Sequence, residues 1–565
     1  MFLLWQRVGR TPRAEFRLPT RVLLGALGDG AISRSQAFHS IVRSEHEVDQ
    51  PPGNLVSTVF QDAAKWGSRI ALECCLSGRN CTYNQLLDGI SKWSGFLTTL
   101  GLEKGDVIAI MMPNSPVFPI VMFGTISSGV VITPVNPRYT TEELVRQLND
   151  SGAKLLVGDT SVEDIIMDSL RLYKKPLQVV MNRPSRIPGA LNLNSILSDK
   201  TIPYMDTVEV GVKDTAMLPY SGGTTGPPKG VVISHGALAI NLKMLEHDHF
   251  SFTKNATETT RQSFVTSLPF FHAFGVLAEL LVGFANGTKL LTMPFFDPKI
   301  YIDSLSKNKV EMLQLVPPLL NFLINSPIAT AEKLESVKAI TIGAAPVHPS
   351  AKEALNEKLN KNILFQEVYG MTEVLASHYI PVNQETRSNL LPNVSVKILD
   401  TLSRELLPPT SKGEIYIKSP STMTCYLNNE EATAETIDSE GWVRTGDVGY
   451  FDTDGYLKIV DRNKELIKVK GFQVSPSELE DLIRQHEQVL DVGVVGIPND
   501  RFGEVPRAYV TTKTLISEND IHSFIDNRVA PHKKLTGGVV FIDEIPKTGT
   551  GKILRRELKK LALEA

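Results

Sequence analysis

The sequence predicts an α/β fold in which a large N-terminal domain, ending in a β-rich subdomain, is followed by a small α+β C-terminal domain. Three observations support this fold class. The chain has 565 residues, which is too long for a single core of ordinary size. Amphipathic helical segments alternate with short runs of Val, Ile and Leu between residues 50 and 460, a rhythm typical of βαβ units. From about Gly413 onward, short strands replace that alternation.

The first βαβ units can be placed from their apolar patterns. Residues 107–112 form a continuous apolar run typical of a buried strand, residues 115–127 a helix, and residues 130–134 the next strand. A further helix is predicted over residues 140–152, because two glutamates occupy its first turn and a glycine ends it. The strand 154–157 follows, so the alternation continues.

The β-rich subdomain contains the predicted strands 414–417 and 455–460. A charged stretch, Asp461-Arg462-Asn463-Lys464-Glu465, then marks a domain boundary. We therefore divide the chain into an N-terminal arm, a large domain and a small domain, which span residues 1–50, 51–461 and 465–565.

The small domain carries a clear helix start. Ser475 can cap the helix, Pro476 suits its first turn, and Glu478 is placed to close a capping box. We expect a helix to begin at this point, early in the small domain.

The composition excludes several classes of protein. The net charge is −3 with 21% charged residues, whereas a nucleic-acid-binding domain would carry a strong basic excess. No apolar stretch approaches the roughly 18 residues that span a bilayer, so no transmembrane segment is predicted. The four cysteines fit neither a disulfide framework nor a zinc site and are predicted to be reduced thiols. We expect a small-molecule partner, and no signal specifies an oligomeric state.

The first forty residues form a basic amphipathic arm. Its arginines recur every three or four positions with Glu15 between them, and serines follow. They are Arg7, Arg10, Arg13, Arg17 and Arg21. The pattern is typical of a mitochondrial transit peptide, so a mitochondrial location is expected; a solvated arm on a cytoplasmic protein is the alternative. The C-terminal residues 561–565 do not form a Ser-Lys-Leu peroxisomal signal.

The most informative motif is a loop of hydroxyls, glycines and one lysine. It contains Ser221, Gly222, Gly223, Thr224, Thr225, Gly226 and Lys229. Glycines allow backbone N–H groups to approach phosphate oxygens, the hydroxyls donate hydrogen bonds, and the lysine supplies a positive charge. The common Gly-x4-Gly-Lys-Ser/Thr spacing is absent, and a strand rather than a helix is predicted at residues 231–233. The predicted ligand is ATP or a relative, bound by a different class of nucleotide enzyme.

Further motifs add the groups that a phosphate site needs. Thr372 and Glu373 place a hydroxyl beside a carboxylate after a predicted strand, which suits a phosphate contact and a Mg²⁺ ligand. Asp447 offers an acceptor for paired ribose hydroxyls. The basic segment 462–473 and the loop 546–552 contribute cations later in the chain.

In this order and spacing the motifs resemble the adenylate-forming superfamily, which comprises acyl-CoA synthetases, nonribosomal-peptide adenylation domains and beetle luciferases. The likeness covers about residues 55–560 and is strongest to the branch of 4-coumarate:CoA ligases and luciferase-like acyl-CoA synthetases. The early segments 112–116 and 135–137 also conform to it. The resemblance implies an acid–thiol ligase that uses ATP, Mg²⁺ and coenzyme A. A carboxylate attacks the α-phosphate of ATP, pyrophosphate leaves, and the thiol of coenzyme A then displaces AMP.

The resemblance also implies roles for individual residues in the first half-reaction. Lys552 would bridge the substrate carboxylate and the α-phosphate, Glu373 would hold magnesium, and the loop 221–229 would hold the departing pyrophosphate. The remaining nucleotide contacts are assigned to Tyr369, Gly370, Thr372, Asp447 and Arg462. Of these, Thr372 would contact the α-phosphate, and the last two the ribose hydroxyls.

For the second half-reaction, the resemblance implies that the small domain is mobile and turns about Lys464. The turn would present a loop to coenzyme A. That loop consists of Lys470, Gly471 and Phe472. Lys468 and Gln473 match further functional positions of the ligase branch, in the thioester and adenylate stages.

The acyl pocket is where the sequence departs from the hydroxycinnamate ligases. Its predicted lining consists of His272, Phe274, Ala278, Thr341, Gly343, Ala344 and Gly370. His272 corresponds to a position at the acyl and thiol channel. Thr341 stands where those ligases typically carry a lysine that reaches the phenolic end of the substrate, and Phe274 and Ala278 replace more polar residues. We therefore predict an apolar pocket that takes a medium- or long-chain fatty acid.

Three other functions are compatible with the motifs. An aryl- or hydroxycinnamate-CoA ligase, or a luciferase-like enzyme, would share the adenylation step. Adenylation for a carrier protein is less expected, because no carrier domain accompanies the motifs. A non-catalytic nucleotide-binding homologue would be free to lose Lys552, Glu373 and Asp447, and all three are present.

Overall fold

A computed structural model describes most of the chain beyond the N-terminal arm. The described residues are 41–222, 227–345, 347, 349–379, 389–470, 472–499, 501–526, 528–548 and 551–564. Residues 40–565 form one compact unit. Most of the predicted transit peptide lies outside the described residues, as does the centre of the phosphate loop. Among the described helices, none is long and apolar enough to cross a membrane.

The largest sheet has nine strands and builds the first part of the unit. Its central strands are parallel, and antiparallel strands join at the edge that carries the phosphate loop. In spatial order the path is Tyr220–Ser221, Lys229–Ser234, Thr215–Met217, Val131–Pro134, Val107–Met111, Leu155–Gly158, Gln178–Met181 and Leu191–Asn192, with Cys425–Tyr426 paired to Lys229–Ser234. The predicted strands at residues 107, 130 and 154 lie side by side at its centre.

Two four-stranded sheets follow in the chain. The first has the order Ser263–Thr266, Lys289–Thr292, Ile70–Cys74 and Asn80–Thr82. The second has the order Met312–Leu315, Ala339–Ile342, Leu364–Met371 and Leu375–Tyr379. In this second sheet the first three strands are parallel, so their carboxyl ends meet at one edge.

The β-rich subdomain is a five-stranded antiparallel sheet. Its order is Ile41–Arg43, Ser395–Leu399, Gly413–Lys418, Val443–Phe451 and Leu457–Arg462. A further five-stranded sheet lies beyond the predicted boundary, and it has its own apolar core. Its strands are Phe472–Val474, Ile467–Val469, Gly503–Thr512, Val489–Asn499 and Val539–Phe541. The predicted fold class is confirmed.

The α-helices surround these sheets. They are Leu55–Val59, Tyr83–Thr99, Phe118–Ser127, Thr141–Ser151, Glu163–Leu172, Leu193–Ser198, His235–Glu246, Ala273–Gly275, Val282–Ala285, Pro298–Lys307, Pro317–Asn325, Pro349–Leu359, Glu430–Thr436, Pro476–Arg484, Glu518–Asp526 and Arg555–Glu564. A π-helical segment, Val276–Leu281, connects two of them.

Capping chemistry sets the predicted helix starts. Thr140 accepts a hydrogen bond from Glu143 N, and the Glu143 carboxylate accepts one from Thr140 N, which completes a capping box. Ser475 likewise accepts a bond from Glu478 N. The Glu478 carboxylate pairs with Lys533 instead of returning to the cap. The capping box predicted there is therefore wrong in its second half, because a cation from another segment competes for the carboxylate.

Candidate active site

The phosphate loop lies in a hairpin at the edge of the nine-stranded sheet. Ser221 pairs with Lys229 across the two strands of this hairpin. Gly222 has open space where a Cβ would lie. Gly223, Thr224, Thr225 and Gly226 are outside the described residues. The hairpin replaces the helix of the common nucleotide loop, as predicted from residues 231–233.

Glu373 lies next to this hairpin. It follows the strand Leu364–Met371 in a turn that also contains Thr372, and it is 6% exposed. Its Oε1 accepts a hydrogen bond from Ser221 Oγ at 2.9 Å and another from Tyr426 Oη at 2.7 Å. Both donors use the same oxygen. The other carboxylate oxygen is therefore the better placed of the two to accept a cation.

Tyr426 is a site residue that sequence reasoning missed. Its strand pairs with the strand that follows the phosphate loop, with Tyr426 opposite Val231. Its ring also lies under the ammonium group of Lys229, 4.9 Å from the centroid. No local pattern around residue 426 indicates this position, because it depends on a strand pairing about 200 residues apart in sequence.

A second buried carboxylate lies at Asp447, which is 5% exposed. Tyr369 Oη donates a hydrogen bond to Asp447 Oδ2, and Arg462 Nε lies 3.3 Å from Oδ1. Burial raises the pKa of Asp447, while the charges of Arg462 and Lys552 act against that rise. Burial alone would lower the pKa of Arg462, but the carboxylates of Asp447 and Glu465 outweigh it, and the pKa is raised. The two side chains therefore interact where Asp447 is largely shielded from water.

Lys552 reaches this site from the C-terminal domain. The Lys552 residue as a whole is exposed, but partial desolvation of its ammonium group and the charge of Arg462 lower the pKa of Lys552, whereas the charges of Asp447 and Glu373 raise it. These interactions place Lys552 near both carboxylates. Its backbone is fixed locally, since Lys552 N donates to Thr548 Oγ1 at 3.1 Å. The structure therefore brings Lys552 close to the two predicted acids, Asp447 and Glu373.

The predicted hinge residue, Lys464, lies in an exposed turn between the β-rich sheet and the C-terminal sheet. Hydrogen bonds flank that turn. Ser475 Oγ donates to Asp461 Oδ2 at 2.6 Å, and Arg555 Nε lies 2.8 Å from Glu465 Oε2. The turn is an exposed connection between two segments that are each held by hydrogen bonds.

The residues assigned to coenzyme A lie in the C-terminal domain. Lys470 adopts a left-handed conformation with φ of 51°, and its ammonium lies 4.2 Å from the ring centroid of Phe502. Phe472 is 56% exposed and stacks on His532 with a centroid distance of 4.5 Å. Lys468 is exposed, and its backbone N–H donates to Glu504. Gly471 and the side chain of Gln473 lie outside the described part of the chain. Each described contact of this loop is made within its own domain.

His272 lies at the same site as Lys552. Its Nδ1 accepts a hydrogen bond from Phe274 N at 3.2 Å. A neutral ring with an acceptor at Nδ1 carries its proton on Nε2. Burial and the positive charge of Lys552 lower the pKa of His272 to about 4, so the ring is neutral at physiological pH. His272 is therefore an N–H donor and not a cation at the site.

A cavity of about 40 Å³ lies beside the segment that follows His272. Phe274 and Ala278 are part of its lining. Most of the other lining is apolar and comes from Leu245, Phe252, Leu277, Val282, Met312 and Val368. Ser251, Thr253, Gln314 and Tyr379 are polar exceptions. The expectation of an apolar pocket therefore describes most of the wall but omits four polar residues.

Thr341, Gly343, Gly370 and Ala344 do not line this cavity, but the first three lie against residues that do. Thr341 lies behind the wall, where its Oγ1 is 2.9 Å from Tyr379 Oη. Gly343 packs tightly, since a Cβ there would lie 2.6 Å from Val368 Cγ1. A Cβ at Gly370 would lie 2.1 Å from a backbone carbonyl oxygen, so that position requires glycine. Ala344 is left-handed with φ of 71°, which turns the chain away from the end of its strand.

Glu279 is a second residue that sequence reasoning missed. It is fully buried in the π-helical segment, and its Oε1 accepts hydrogen bonds from Ser267 N at 3.0 Å and Leu268 N at 3.1 Å. Among the described residues, its Oε2 has no hydrogen-bond partner. Burial raises the pKa of Glu279 well above its usual value, and the two N–H donors only partly offset this. The signal in the sequence is a single acid inside an apolar run.

Comparison with known proteins identifies the family. The model of the AMP-binding enzyme family matches residues 59–427, and that of the AMP-binding enzyme C-terminal domain matches residues 478–552. The chain belongs to the family of AMP-binding enzymes. The predicted superfamily and the predicted class of acid–thiol ligases are confirmed.

Its relatives include several curated CoA ligases. The chain is 35% identical over 492 residues to Probable 4-coumarate–CoA ligase 3 of Dictyostelium discoideum, covering 84% of this chain and 88% of the relative. It is 33% identical to Peroxisomal OPC-8:0-CoA ligase 1 of Arabidopsis thaliana, covering 91% and 94%. Among solved structures, ATP-bound MatB from Rhodopseudomonas palustris matches with a TM-score of 0.80 at 26% identity, over 90% of this chain and 98% of that one.

The buried Glu279 carboxyl makes a prediction about stability. Because its pKa is raised in the folded state, its contribution to stability is complete below about pH 4.5 and is lost as the pH rises toward the folded-state pKa. The loss amounts to at most about 1.4 kcal/mol per pH unit. Glu279→Gln keeps an acceptor for the two N–H groups but does not titrate. The free energy of unfolding in urea, measured at pH 5, 6 and 7, should therefore favour the variant increasingly as pH rises. A difference that stays constant over this range would contradict the assignment.

Proposed function

We propose that the chain activates a carboxylic acid as its acyl-adenylate and then transfers the acyl group to coenzyme A. The observation that carries the proposal is the position of Lys552, which comes from the C-terminal domain and lies near Asp447 and Glu373. A lysine delivered across a domain boundary to two buried acids suits a step in which negative charge develops between two substrates. The names of the relatives, which are CoA ligases, support the same reaction.

In the first half-reaction a carboxylate oxygen of the substrate attacks the α-phosphorus of ATP, and the bond to pyrophosphate breaks. Both reactants are anions, so cations must lower their repulsion. Lys552 would neutralise the carboxylate and the α-phosphate together. Ser221 and Lys229 would hold the β- and γ-phosphates, and Thr372 would donate to the α-phosphate. His272 would contribute its neutral Nε2–H as a donor near the substrate carboxylate.

Glu373 fits the role of a magnesium ligand. Among the described residues, the two hydroxyl donors to Glu373 both engage its Oε1, and Mg²⁺ in such sites is commonly bound by one or two carboxylates with substrate phosphates. Magnesium bound there would neutralise charge on the phosphates. Tyr426 and Ser221 orient the carboxylate for this purpose.

Asp447 is the proposed ribose ligand. Its carboxylate is buried, and Arg462 and Tyr369 fix its orientation. A buried carboxyl group can accept hydrogen bonds from a pair of neighbouring hydroxyls, because each hydroxyl can donate to it. Burial raises the pKa of Asp447, and the charge of Arg462 opposes that rise.

In the second half-reaction the thiol sulfur attacks the acyl carbonyl carbon, and AMP leaves. Lys552 occupies the site needed for the first step, so the proposed exchange is a turn about Lys464 that withdraws Lys552 and brings Lys470, Gly471 and Phe472 forward. The exposed Phe472–His532 stack would then offer a flat apolar surface to the nucleotide part of coenzyme A.

For the acid we propose a medium-chain aliphatic carboxylate. The wall is mainly apolar, but the cavity of about 40 Å³ is small beside the roughly 300–1,000 Å³ of typical ligand sites. A long chain would therefore require flexible side chains such as Met312 to move. An aryl acid is the second candidate. It is favoured by Gln314 and by the Thr341–Tyr379 hydroxyl pair, since these supply polar groups to a ring substituent.

The test is pyrophosphate release from ATP and Mg²⁺ with aliphatic acids of four to sixteen carbons and with benzoic and cinnamic acids. Each acid is assayed with and without coenzyme A. Release that depends on the acid and produces its CoA thioester would support the proposal, and the length of the best acid would rank the candidates. Pyrophosphate release without thioester would indicate a different acceptor. Absence of release with every acid, while ATP binds, would favour a non-catalytic homologue.

Lys552→Ala should remove most of the adenylation activity. The lysine acts on charge that develops between the substrates, so we expect a loss of about 100-fold or more in pyrophosphate release. ATP affinity, measured by calorimetry, should change little. Lys559→Ala is the matched control, because that lysine lies on the same terminal segment and forms only a 3.9 Å contact with Glu504. Equal effects of the two variants would remove Lys552 from the mechanism.

Tyr426→Phe should weaken the response to magnesium. The variant removes one of the two hydroxyl donors to Glu373 but keeps the ring beneath Lys229. Loss of such an outer contact typically costs about 10-fold or more in metal affinity. The measurement is the Mg²⁺ concentration for half-maximal pyrophosphate release, with Tyr450→Phe in the β-rich sheet as control. An unchanged half-maximal concentration would show that Tyr426 does not position the metal ligand.

Lys470→Ala should affect the second half-reaction selectively. Lys470 belongs to the loop assigned to coenzyme A, and its ammonium group lies over the ring of Phe502 outside that loop. We expect thioester formation from preformed acyl-adenylate to slow by about 10-fold while pyrophosphate release in single turnover is unchanged. Lys513→Ala, elsewhere in the same domain, serves as control. Equal slowing of both steps would argue against an exchange of loops at the site.

A further inference from the structure

Three buried polar residues lie side by side across the second four-stranded sheet. Gln314 pairs in register with Thr341, and Thr341 pairs with Gln366. The exposed fractions of the three residues are 2%, 1% and 0%. Since paired residues on parallel strands project from the same face, the three side chains form one polar row. The other residues of the strands Met312–Leu315 and Ala339–Ile342 are apolar.

Two members of the row have hydrogen-bond partners within the protein. Thr341 Oγ1 lies 2.9 Å from Tyr379 Oη and 3.5 Å from Gln366 Oε1. Gln366 Nε2 donates to the Phe250 carbonyl at 2.9 Å. Gln314 is different. Within the described part of the chain, neither its Nε2 nor its Oε1 has a hydrogen-bond partner.

Gln314 lines the cavity that we assign to the acyl group. The row lies inside the sheet and not at the edge formed by its strand ends. Thr341 is two residues before Gly343, which follows the strand Ala339–Ile342. Two residues of a strand span roughly 6–7 Å. The site of adenylation is at the edge, where Phe274 of the cavity wall is two residues from His272. The unpartnered amide therefore lies at the far side of the cavity from the carboxylate.

A buried amide without partners is unfavourable, and proteins seldom retain one without a reason. Replacement by an apolar residue of similar shape would remove this cost. A ligand that supplies both a donor and an acceptor would also remove it. A hydroxyl group does so, whereas a carbonyl engages only the amide nitrogen and a methylene group engages neither atom.

We propose that Gln314 recognises a hydroxyl group on the acyl chain of the substrate, at a position remote from the carboxylate. This inference rests on the proposed function and names its substrate class: a hydroxylated, otherwise apolar carboxylic acid. The hydroxyl donates to Gln314 Oε1 and accepts from Nε2. A charged group at that position is disfavoured, because the surrounding wall is apolar and burial of an unpaired charge is costly.

The test compares matched acids with the full-length protein. Octanoic and decanoic acids are assayed beside their analogues with a hydroxyl or a keto group at each carbon from C5 to the chain end, together with cinnamic and 4-hydroxycinnamic acids. Pyrophosphate release gives kcat/KM for each acid. We expect at least one hydroxy acid to exceed its unsubstituted parent by about 10-fold or more, with the corresponding keto acid in between.

Gln314→Leu should abolish this preference. The ratio of kcat/KM between the best hydroxy acid and its parent should fall by about 10-fold, chiefly because the parent acid gains. Gln178→Leu is the matched control, because it makes the same substitution on a strand of the nine-stranded sheet and Gln178 does not line the cavity. That variant should leave the ratio as in the wild type.

The outcomes separate the two proposals. Equal activity with hydroxy and parent acids, or a preference unchanged by Gln314→Leu, would overturn the role of Gln314 and leave the ligase intact. No activity with any acid would overturn the proposed function and this inference with it. If Gln314→Leu does not fold, the comparison of hydroxy and parent acids with the wild-type protein still tests the proposal. Calorimetry with sulfamoyl analogues of the hydroxyacyl- and acyl-adenylates should show the same preference, and equal affinities would refute it.

Discussion

The hydrogen bonds to Glu373 join the parts of the chain on which the site depends. Its single acceptor oxygen receives the hydroxyls of Ser221 and Tyr426, which are 152 and 53 residues away in sequence. Through these bonds the phosphate hairpin of the nine-stranded sheet is held against the strand end of a different sheet. Both donors are neutral hydroxyls, so neither of these hydrogen-bond partners brings a positive charge to the nearly buried carboxyl group. A cation is therefore favoured beside it, and the surrounding architecture limits where that cation can be.

The same reasoning extends to the second acid. Asp447 is buried beside Arg462, and their mutual attraction is what opposes the cost of removing both from water. Lys552 then adds a second positive charge, and its pKa is lowered partly by Arg462. Two acids and two cations, with Glu465 paired to Arg555 beside them, give formal charges that balance in number. An anionic nucleotide thus requires further positive charge, which Lys229 and a magnesium ion at Glu373 would supply. The proposed metal follows from this balance as well as from the geometry of one carboxylate.

Sequence reasoning predicted the parts of the molecule that depend on local patterns. Continuous apolar runs indicated the central strands near residues 107 and 130, and cap chemistry indicated the helix after Thr140. The family resemblance selected Lys552, Glu373 and Asp447 as one set, and the structure brings them together. Tyr426 was missed, because its position depends on strand pairing between distant segments. Such pairing leaves no periodic signal at either segment.

Gln314 and Glu279 were missed for a different reason. Each is a single polar residue within an apolar run, and an average over such a run indicates only a buried strand or helix. The single polar residue is what indicates a functional position, because burial of one amide or one carboxyl is unfavourable where apolar residues would pack well. The two differ in how the protein satisfies them. Glu279 receives two backbone N–H groups and stabilises the chain that leads to His272. Gln314 receives none in the described structure, although neighbouring Thr341 and Gln366 are partnered. The sheet provides hydrogen-bond partners for two polar residues of the row and leaves the third facing the ligand cavity. Stability is reduced there in favour of recognition, as is usual at binding sites.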